Sequence, residues 1–357
     1  MRKLLLTTMC FAVALMFSSV AYGFHDEGVA RCSGCHTMHN SQNGVPVDTV
    51  PAHVNGNQDL LIRSTPSDVC LTCHITKHGK VLAGTVLAPP TLYGAGNFVF
   101  LLEDNLYDGR SGTVPGDAAG HNLVAPGNGL AADLTISGSF GPGGTYPKSA
   151  MGCSSCHDPH GNTSFRMLYG IGHVQAGNAN FTAAAPLADG IDIEAATGES
   201  NTNHTAYKSG MSAWCGNCHG NYHNEANGRL EHPSGHSLGG EIAGNYDLYN
   251  GTAHLISGSH ATAYLAAVSF EDPANTTTST AGPTASSQVS CITCHRAHAT
   301  SAPDAGRWDF NVTFLSEDGV TSSSYPIPSP YGPDVKIQRS LCNKCHVKDA
   351  GDLGSAP

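Results

Sequence analysis

The chain has 357 residues and a formal charge of −11, with 13% charged and 7% aromatic residues against 42 glycines and 20 prolines. An acidic surface does not hold nucleic-acid phosphates. So few large side chains among so much Gly and Pro cannot bury enough apolar surface for two ordinary cores, so folding requires something other than protein at the centre.

The first 23 residues read as an export segment. Arg2 and Lys3 are a basic start, Leu4 to Val20 an apolar stretch, and Ala21-Tyr22-Gly23 a small-x-small cleavage site, with cleavage near Phe24. The apolar run is short for a membrane anchor and is broken by Thr7, Thr8, Ser18 and Ser19. Cys10 follows Met9, which is not the small residue a lipoprotein site needs. Removing residues 1–23 leaves 334 residues and a charge of −13, from 15 basic and 28 acidic side chains. Nothing after residue 23 is long and apolar enough to span a bilayer. Residues 24–357 are expected to form a single exported domain, soluble or assembled with copies of itself.

Twelve of the 13 cysteines fall into six Cys-x-x-Cys-His strings: Cys32/Cys35/His36, Cys70/Cys73/His74, Cys153/Cys156/His157, Cys215/Cys218/His219, Cys291/Cys294/His295 and Cys342/Cys345/His346. This is the attachment signature of c-type haem: two thiols add to the haem vinyls, and the adjacent imidazole becomes the proximal iron ligand. Random disulfide pairing would not place His after every pair. Zinc ribbons do not need the trailing His, and a thioredoxin-like site occurs once in a βαβ setting. The motif starts are 38, 83, 62, 76 and 51 residues apart, too uneven for a solenoid of identical repeats. Six flat apolar macrocycles, one per roughly 56 residues, would supply the missing core. The expected fold is mostly loops with short helices wrapped round a stacked haem chain, with little or no β-sheet. Short helices are expected at the attachment motifs and near Ala261–Ser269, and loops at 112–148 and 326–333.

The second axial ligand separates a wire from an enzyme, because only an open iron binds substrate. Fourteen histidines lie outside the motifs, against four methionines after residue 23 (Met38, Met151, Met167 and Met211). Bis-histidine ligation and low potentials are therefore expected. His39, His160, His298 and His223 follow an attachment motif within a few residues, so one short segment can serve two irons. His121 in Gly-His-Asn and His232 in Glu-His-Pro complete the expected distal set, with His25 and His78 next in order. His53, His173, His204, His236, His254 and His260 are expected at the surface or beside other ligands.

Several strings run well beyond the haem motifs. They include Gly28-Val-Ala-Arg-Cys-Ser-Gly-Cys-His-Thr-Met-His-Asn-Ser, Gly120-His-Asn-Leu-Val-Ala, Gly144-Thr-Tyr-Pro and Cys153-Ser-Ser-Cys-His-Asp-Pro-His-Gly. In the later half come Gly210-Met-Ser-Ala-Trp-Cys-Gly-Asn-Cys-His, Cys291-Ile-Thr-Cys-His-Arg-Ala-His-Ala and Leu341-Cys-Asn-Lys-Cys-His-Val-Lys-Asp. In these the chain resembles the OmcS-like hexahaem outer-surface c-type cytochromes of metal-reducing bacteria, across all six motifs in order. Stretches 170–205 and 250–285 match poorly, and the chain is shorter between motifs. The resemblance implies a loop-dominated fold round a continuous chain of bis-histidine haems, and polymerisation into an extracellular filament (a cytochrome nanowire). It also implies that His39 ligates the haem held by Cys291, Cys294 and His295 of a neighbouring subunit.

The functional expectation is electron transfer rather than catalysis. Six covalent haems would pass electrons along an extracellular filament to external acceptors, with other redox cytochromes as partners. A discrete periplasmic or cell-surface shuttle is the alternative, followed by a multihaem reductase with one open iron.

Overall fold

The structure, a computed structural model, describes residues 31–47, 57–75, 80–83, 94–102, 106–107, 113–114, 116–132, 139–174, 180–191, 198–223, 234–249, 258–310, 314 and 340–346. The expected export segment, His25, His78, His232 and the 326–333 loop lie outside these residues, as does the side chain of His223.

Regular structure is sparse, as the Gly- and Pro-rich composition predicts. Among the described residues the α-helices are α1 (Cys32–Cys35), α2 (Pro66–His74), α3 (Met211–Cys215), α4 (Gly239–Leu248) and α5 (Cys291–Cys294), interleaved with short 3-10 turns. Strands β1 (Ser41–Gln42) and β2 (Val45–Pro46), β3 (Leu106–Tyr107) and β4 (Thr113–Val114), and β5 (Leu187–Asp189) and β6 (Ala206–Ser209) pair as three antiparallel two-stranded ribbons. No helix among the described residues is long and apolar enough to cross a membrane.

Helices form where a cap and an attachment motif coincide. Thr65 caps α2 by accepting the Asp68 amide at 3.0 Å, and Pro66 sits in the first turn, where a missing N–H costs nothing. The Asp68 carboxylate favours the positive helix start. It also accepts from the Ser64 and Thr65 hydroxyls and from the Asn128 amide at 2.9 Å, so a local cap becomes a tertiary tie. At two motifs the second residue between the cysteines is a hydroxyl that closes its own turn. Thr293 accepts the Ser290 amide at 3.0 Å and Ser155 that of Gly152 at 2.9 Å.

Apolar side chains do not pool into one core. One cluster gathers Phe98, Val99, Phe100, Leu101, Leu71 and Leu123 and reaches Cys153. Another gathers Tyr246, Tyr264, Phe270, Trp308 and Leu341 and reaches Cys294, Cys342 and Cys345. Smaller ones flank Cys35 and Cys215. Each fully buried large side chain contributes about 1.5–3 kcal/mol, so these patches stabilise the segments beside each cysteine pair. Two modest clusters were not foreseen in the sequence, where the chain reads as nearly coreless.

The expected helix near Ala261–Ser269 is two 3-10 turns, His260–Thr262 and Ala266–Val268, separated by extended backbone at Leu265. Tyr246 explains the break: its hydroxyl accepts the Leu265 amide at 3.0 Å and donates to the Val268 carbonyl at 2.8 Å, competing with continuous helix. The 112–148 stretch is a loop only in part, since it carries β4 and the turns Gly116–Ala119 and Pro126–Asn128.

Candidate cofactor-attachment sites and their ligands

The first, third and fifth motifs share one local construction. After each motif the chain returns through two consecutive left-handed residues: Asp59/Leu60 (φ 53 and 57), Arg166/Met167 (51 and 55) and Asp304/Ala305 (58 and 54). The carbonyl of the first faces the Nδ1 of the motif histidine, at 2.9 Å for His36, 2.8 Å for His157 and 2.8 Å for His295. Two backbone bonds close each return. The residue after the histidine donates to the second left-handed residue, and a residue two further on donates to the second cysteine's carbonyl (Thr37 to Leu60 and Ile62 to Cys35; Asp158 to Met167 and Tyr169 to Cys156; Arg296 to Ala305 and Arg307 to Cys294). A carbonyl can only accept, so it holds the proton on Nδ1 and leaves the Nε2 lone pair free for a metal.

Among the even-numbered motifs, the fourth is placed by a distant part of the chain. The Nδ1 of His219 faces the Pro142 carbonyl at 2.6 Å. Gly144 lies so close that an added Cβ would overlap the carbonyl of Cys218. His74 ends α2, and His346 follows the 3-10 turn Leu341–Lys344.

All twelve described cysteines are free thiols, and their neighbours give the order of the motifs in space. Cys35 interacts with Cys70 and Cys73, Cys70 pairs with Cys153, and Cys156 interacts with Cys218. Cys215 pairs with Cys291, and Cys294 interacts with Cys342 and Cys345. The six motifs therefore follow one another in chain order. The second-to-third and fourth-to-fifth joints are also alike: Ser67 accepts the Cys153 amide and Ser212 the Cys291 amide, each at 3.2 Å. Burial pushes the thiols of Cys156 and Cys294 up to about 12 and that of Cys345 to about 11. Such thiols stay protonated, unlike the thiolates that bind zinc. An uncharged thioether suits these positions.

Three of the expected distal histidines stand opposite motif histidines. The ring centroids are 6.3 Å apart for His36 and His160, 6.4 Å for His157 and His298, and 5.8 Å for His219 and His121. Two metal–imidazole bonds of about 2.0 Å, plus roughly an ångström of ring on either side, span about 6 Å. Each pair can therefore hold one iron between its rings, and the residues fit a haem. The interplanar angles are 16°, 64° and 42°. Burial lowers the pKa of His121 and His157 and takes His298 down to about 3, keeping the imidazoles neutral with a lone pair to donate.

His121 and His298 belong to one ribbon. His121 donates its backbone N–H to the His298 carbonyl at 2.9 Å, and its Nδ1 faces the Ala297 carbonyl at 2.6 Å. On the other side His298 donates to Ala95 at 2.7 Å and Asn97 donates to Ala299 at 2.8 Å. Gly96, at φ +88, has no room for a Cβ beneath the Ala299 carbonyl. The His298 ring stacks on Phe98 at 4.6 Å. This backbone clamp fixes two histidines that face different motifs, the third and the fourth.

Other histidines are placed differently. His39 is exposed beside Met38, itself 79% exposed. His204 is not a surface residue: it is fully buried, stacked on Tyr264 at 3.8 Å, with Nδ1 facing the Thr205 carbonyl and Nε2 that of Ser279. The ring is enclosed between these carbonyls and the Tyr264 face, so its place is structural. His173 stacks on Tyr169 at 3.3 Å, His260 pairs with Asp247 at 2.8 Å, and His236 is exposed. His53 and His254 lie outside the described residues. The two-turn return was missed in sequence, because Asp-Leu, Arg-Met and Asp-Ala share no residue that favours left-handed backbone. The available signal was the Cys-His-x-x-His tail, which occurs only at alternate motifs.

No family model matches the chain. The c-type cytochrome OmcS of Geobacter sulfurreducens is 31% identical over 95% of this chain and 97% of its own length. A cryo-EM structure of the OmcS nanowires from the same organism superposes with a TM-score of 0.74 at 29% identity, covering 91% of this chain and all of that one. A structure of the outer membrane cytochrome S filament gives 0.73 at 30% identity, over 90% and 99%. With the motifs, the opposed imidazoles and this likeness along the whole chain, the protein belongs to the OmcS family of c-type cytochromes, electron-transfer proteins that carry covalently bound haem c.

Proposed function

We propose that the protein carries six bis-histidine haems in chain order and polymerises head to tail into an extracellular filament that conducts electrons along its length. Haem supplies the one-electron chemistry. The chain's residues attach it, orient the proximal imidazoles through their Nδ1 atoms, and close each iron with a second histidine. Residues 1–23 direct export and are removed. Other redox cytochromes deliver electrons, and external acceptors receive them.

One observation carries the polymer. The histidine trailing the third motif (His160) faces that of the first (His36), and the one trailing the fifth (His298) faces that of the third (His157). Continued by one step, the pattern requires the first motif's trailing histidine of a further copy over the fifth motif. Both ends of that step are open. His39 is exposed, and no described histidine ring stacks opposite His295, which is exposed with Phe310 packed on its edge at 5.4 Å. A surface that offers a ligand at one end and needs one at the other assembles heterologously, and such contacts propagate into fibres. His74 and His346 are left for His223 and His232, with His25 and His78 next in order.

The test is His39→Ala in the haem-loaded protein. Six haems should remain attached by mass, one should lose its low-spin spectrum, and electron micrographs should show short filaments or none. Unchanged filaments would overturn the reading, and dispersed particles of the unaltered protein would favour the discrete shuttle.

A further inference from the structure

The three repeated returns serve as internal controls for one another, and at two equivalent positions they differ sharply in charge. The residue after the motif histidine is Thr37, Asp158 or Arg296, and the residue that closes onto the second cysteine is Ile62, Tyr169 or Arg307. Only the fifth motif has a cation at both. Arg307 is 1% exposed and Arg296 7%. The Arg307 Nε donates to the Ile292 carbonyl at 2.6 Å and to that of His295 at 3.3 Å, and its Nη1 to Ala266 at 3.0 Å. The Arg296 Nη1 donates to Gly94 at 3.1 Å. One carboxylate, Glu199, faces both, at 3.9 and 3.8 Å, which leaves this three-residue cluster with one positive charge in excess; the other buried carboxylate close in sequence, Asp309, forms no ion pair with either arginine within 4 Å.

We propose that Arg296 and Arg307 set the potential of the haem at the fifth motif above those at the first and third. The inference rests on haem being attached there, as in the proposed function. Reduction adds one negative charge at the iron, and a fixed positive charge in a low-dielectric site stabilises the reduced form. A guanidinium keeps its proton at neutral pH, so both side chains bring a fixed positive charge. Other charges near these modules act less. Asp59, Asp304 and Arg166 are exposed at the left-handed turns and screened by solvent. Glu271 lies toward Cys215 and Cys291, between the fourth and fifth motifs, where burial raises the pKa of its carboxyl and its oxygen accepts the Met211 amide at 2.8 Å. Because the fifth motif is the one whose second ligand must come from a neighbouring subunit, the arginines would make each subunit junction the place where an electron is held most stably.

The test is a spectroelectrochemical titration of the haem-loaded filament. Arg296→Thr installs the residue that the first motif has at this place. It should move one of the six one-electron components to lower potential, by about a tenfold change in its oxidised-to-reduced ratio at fixed potential, about 59 mV. Glu199→Gln should move one component upward. Arg296→Lys keeps the charge and should titrate as the unaltered protein. The proposal is overturned if no component moves, if all six move together, if Thr and Gln shift a component in the same direction, or if Lys behaves as Thr does. Haem mass and micrographs on each variant separate these outcomes from a loss of attachment or of filaments.

Discussion

The odd attachment motifs and the fourth solve the same problem by opposite means. At the first, third and fifth, the proximal imidazole is oriented by a return turn 9 or 23 residues further along the chain. At the fourth, the corresponding carbonyl is Pro142, 77 residues away. Closing a short loop costs less chain entropy than closing a long one, so the odd modules can orient their ligands locally. The fourth depends on tertiary packing, and Gly144, wedged against the Cys218 carbonyl, shows how tight that packing is. The difference also orders the ligands, since the trailing histidines of the third and fifth modules, His160 and His298, face the histidines of the preceding odd motifs.

The strongest way to break this comparison is His298→Ala. His298 lies between two backbone segments, stacks on Phe98 and faces His157. Truncation should cost on the order of 3 kcal/mol from the cavity alone. If His157 and His298 share an iron as proposed, it should also turn one low-spin signal of the haem-loaded protein to high spin in the electron paramagnetic spectrum. Retention of every low-spin signal would show that the facing rings do not share an iron. A smaller effect is expected for Gly144→Ala. The new methyl group overlaps the Cys218 carbonyl, so the fourth motif must shift, at about 1–3 kcal/mol. If the fourth motif depends on tertiary placement and the odd ones do not, the spectrum of the fourth haem alone should broaden while the three odd haems keep theirs. Equal disturbance of all would erase the distinction.

How much of this was legible in the sequence follows the same division. Cysteine pairs and their histidines are contiguous, so the motifs and the loop-rich fold follow from the chain, and the trailing histidines at 39, 160 and 298 stand out by position. The alternation was also there: motif starts are separated by 38, 62 and 51 residues from odd to even, but by 83 and 76 from even to odd. Uneven spacing hid it, because a repeat of two motifs looks irregular when sought as a repeat of one. The facing of His121 and His219, 98 positions apart, depends on a ribbon with no periodic signature. The structural burial of His204 depends on carbonyls at Thr205 and Ser279 that no side-chain pattern announces.

The smallest effect concerns the turn that all odd modules share. Ala305, at φ +54, is an L-residue in left-handed backbone directly after another, Asp304, and such a conformation costs roughly 1–2 kcal/mol. Glycine removes that cost but gives the unfolded chain about 0.5–1 kcal/mol more entropy to lose. Ala305→Gly should therefore stabilise the haem-loaded protein by only about 0.5 kcal/mol, read as a slight rise in its unfolding midpoint with all six spectra unchanged. A clear loss of stability would mean that the methyl group matters and that the turn is held by side-chain packing. A small gain would mean that the strained pair is retained for what its backbone does, which is to turn the Asp304 carbonyl back onto the Nδ1 of His295. Three unrelated residue pairs at 59/60, 166/167 and 304/305 adopt the same conformation for the same bond, and that recurrence favours the second outcome.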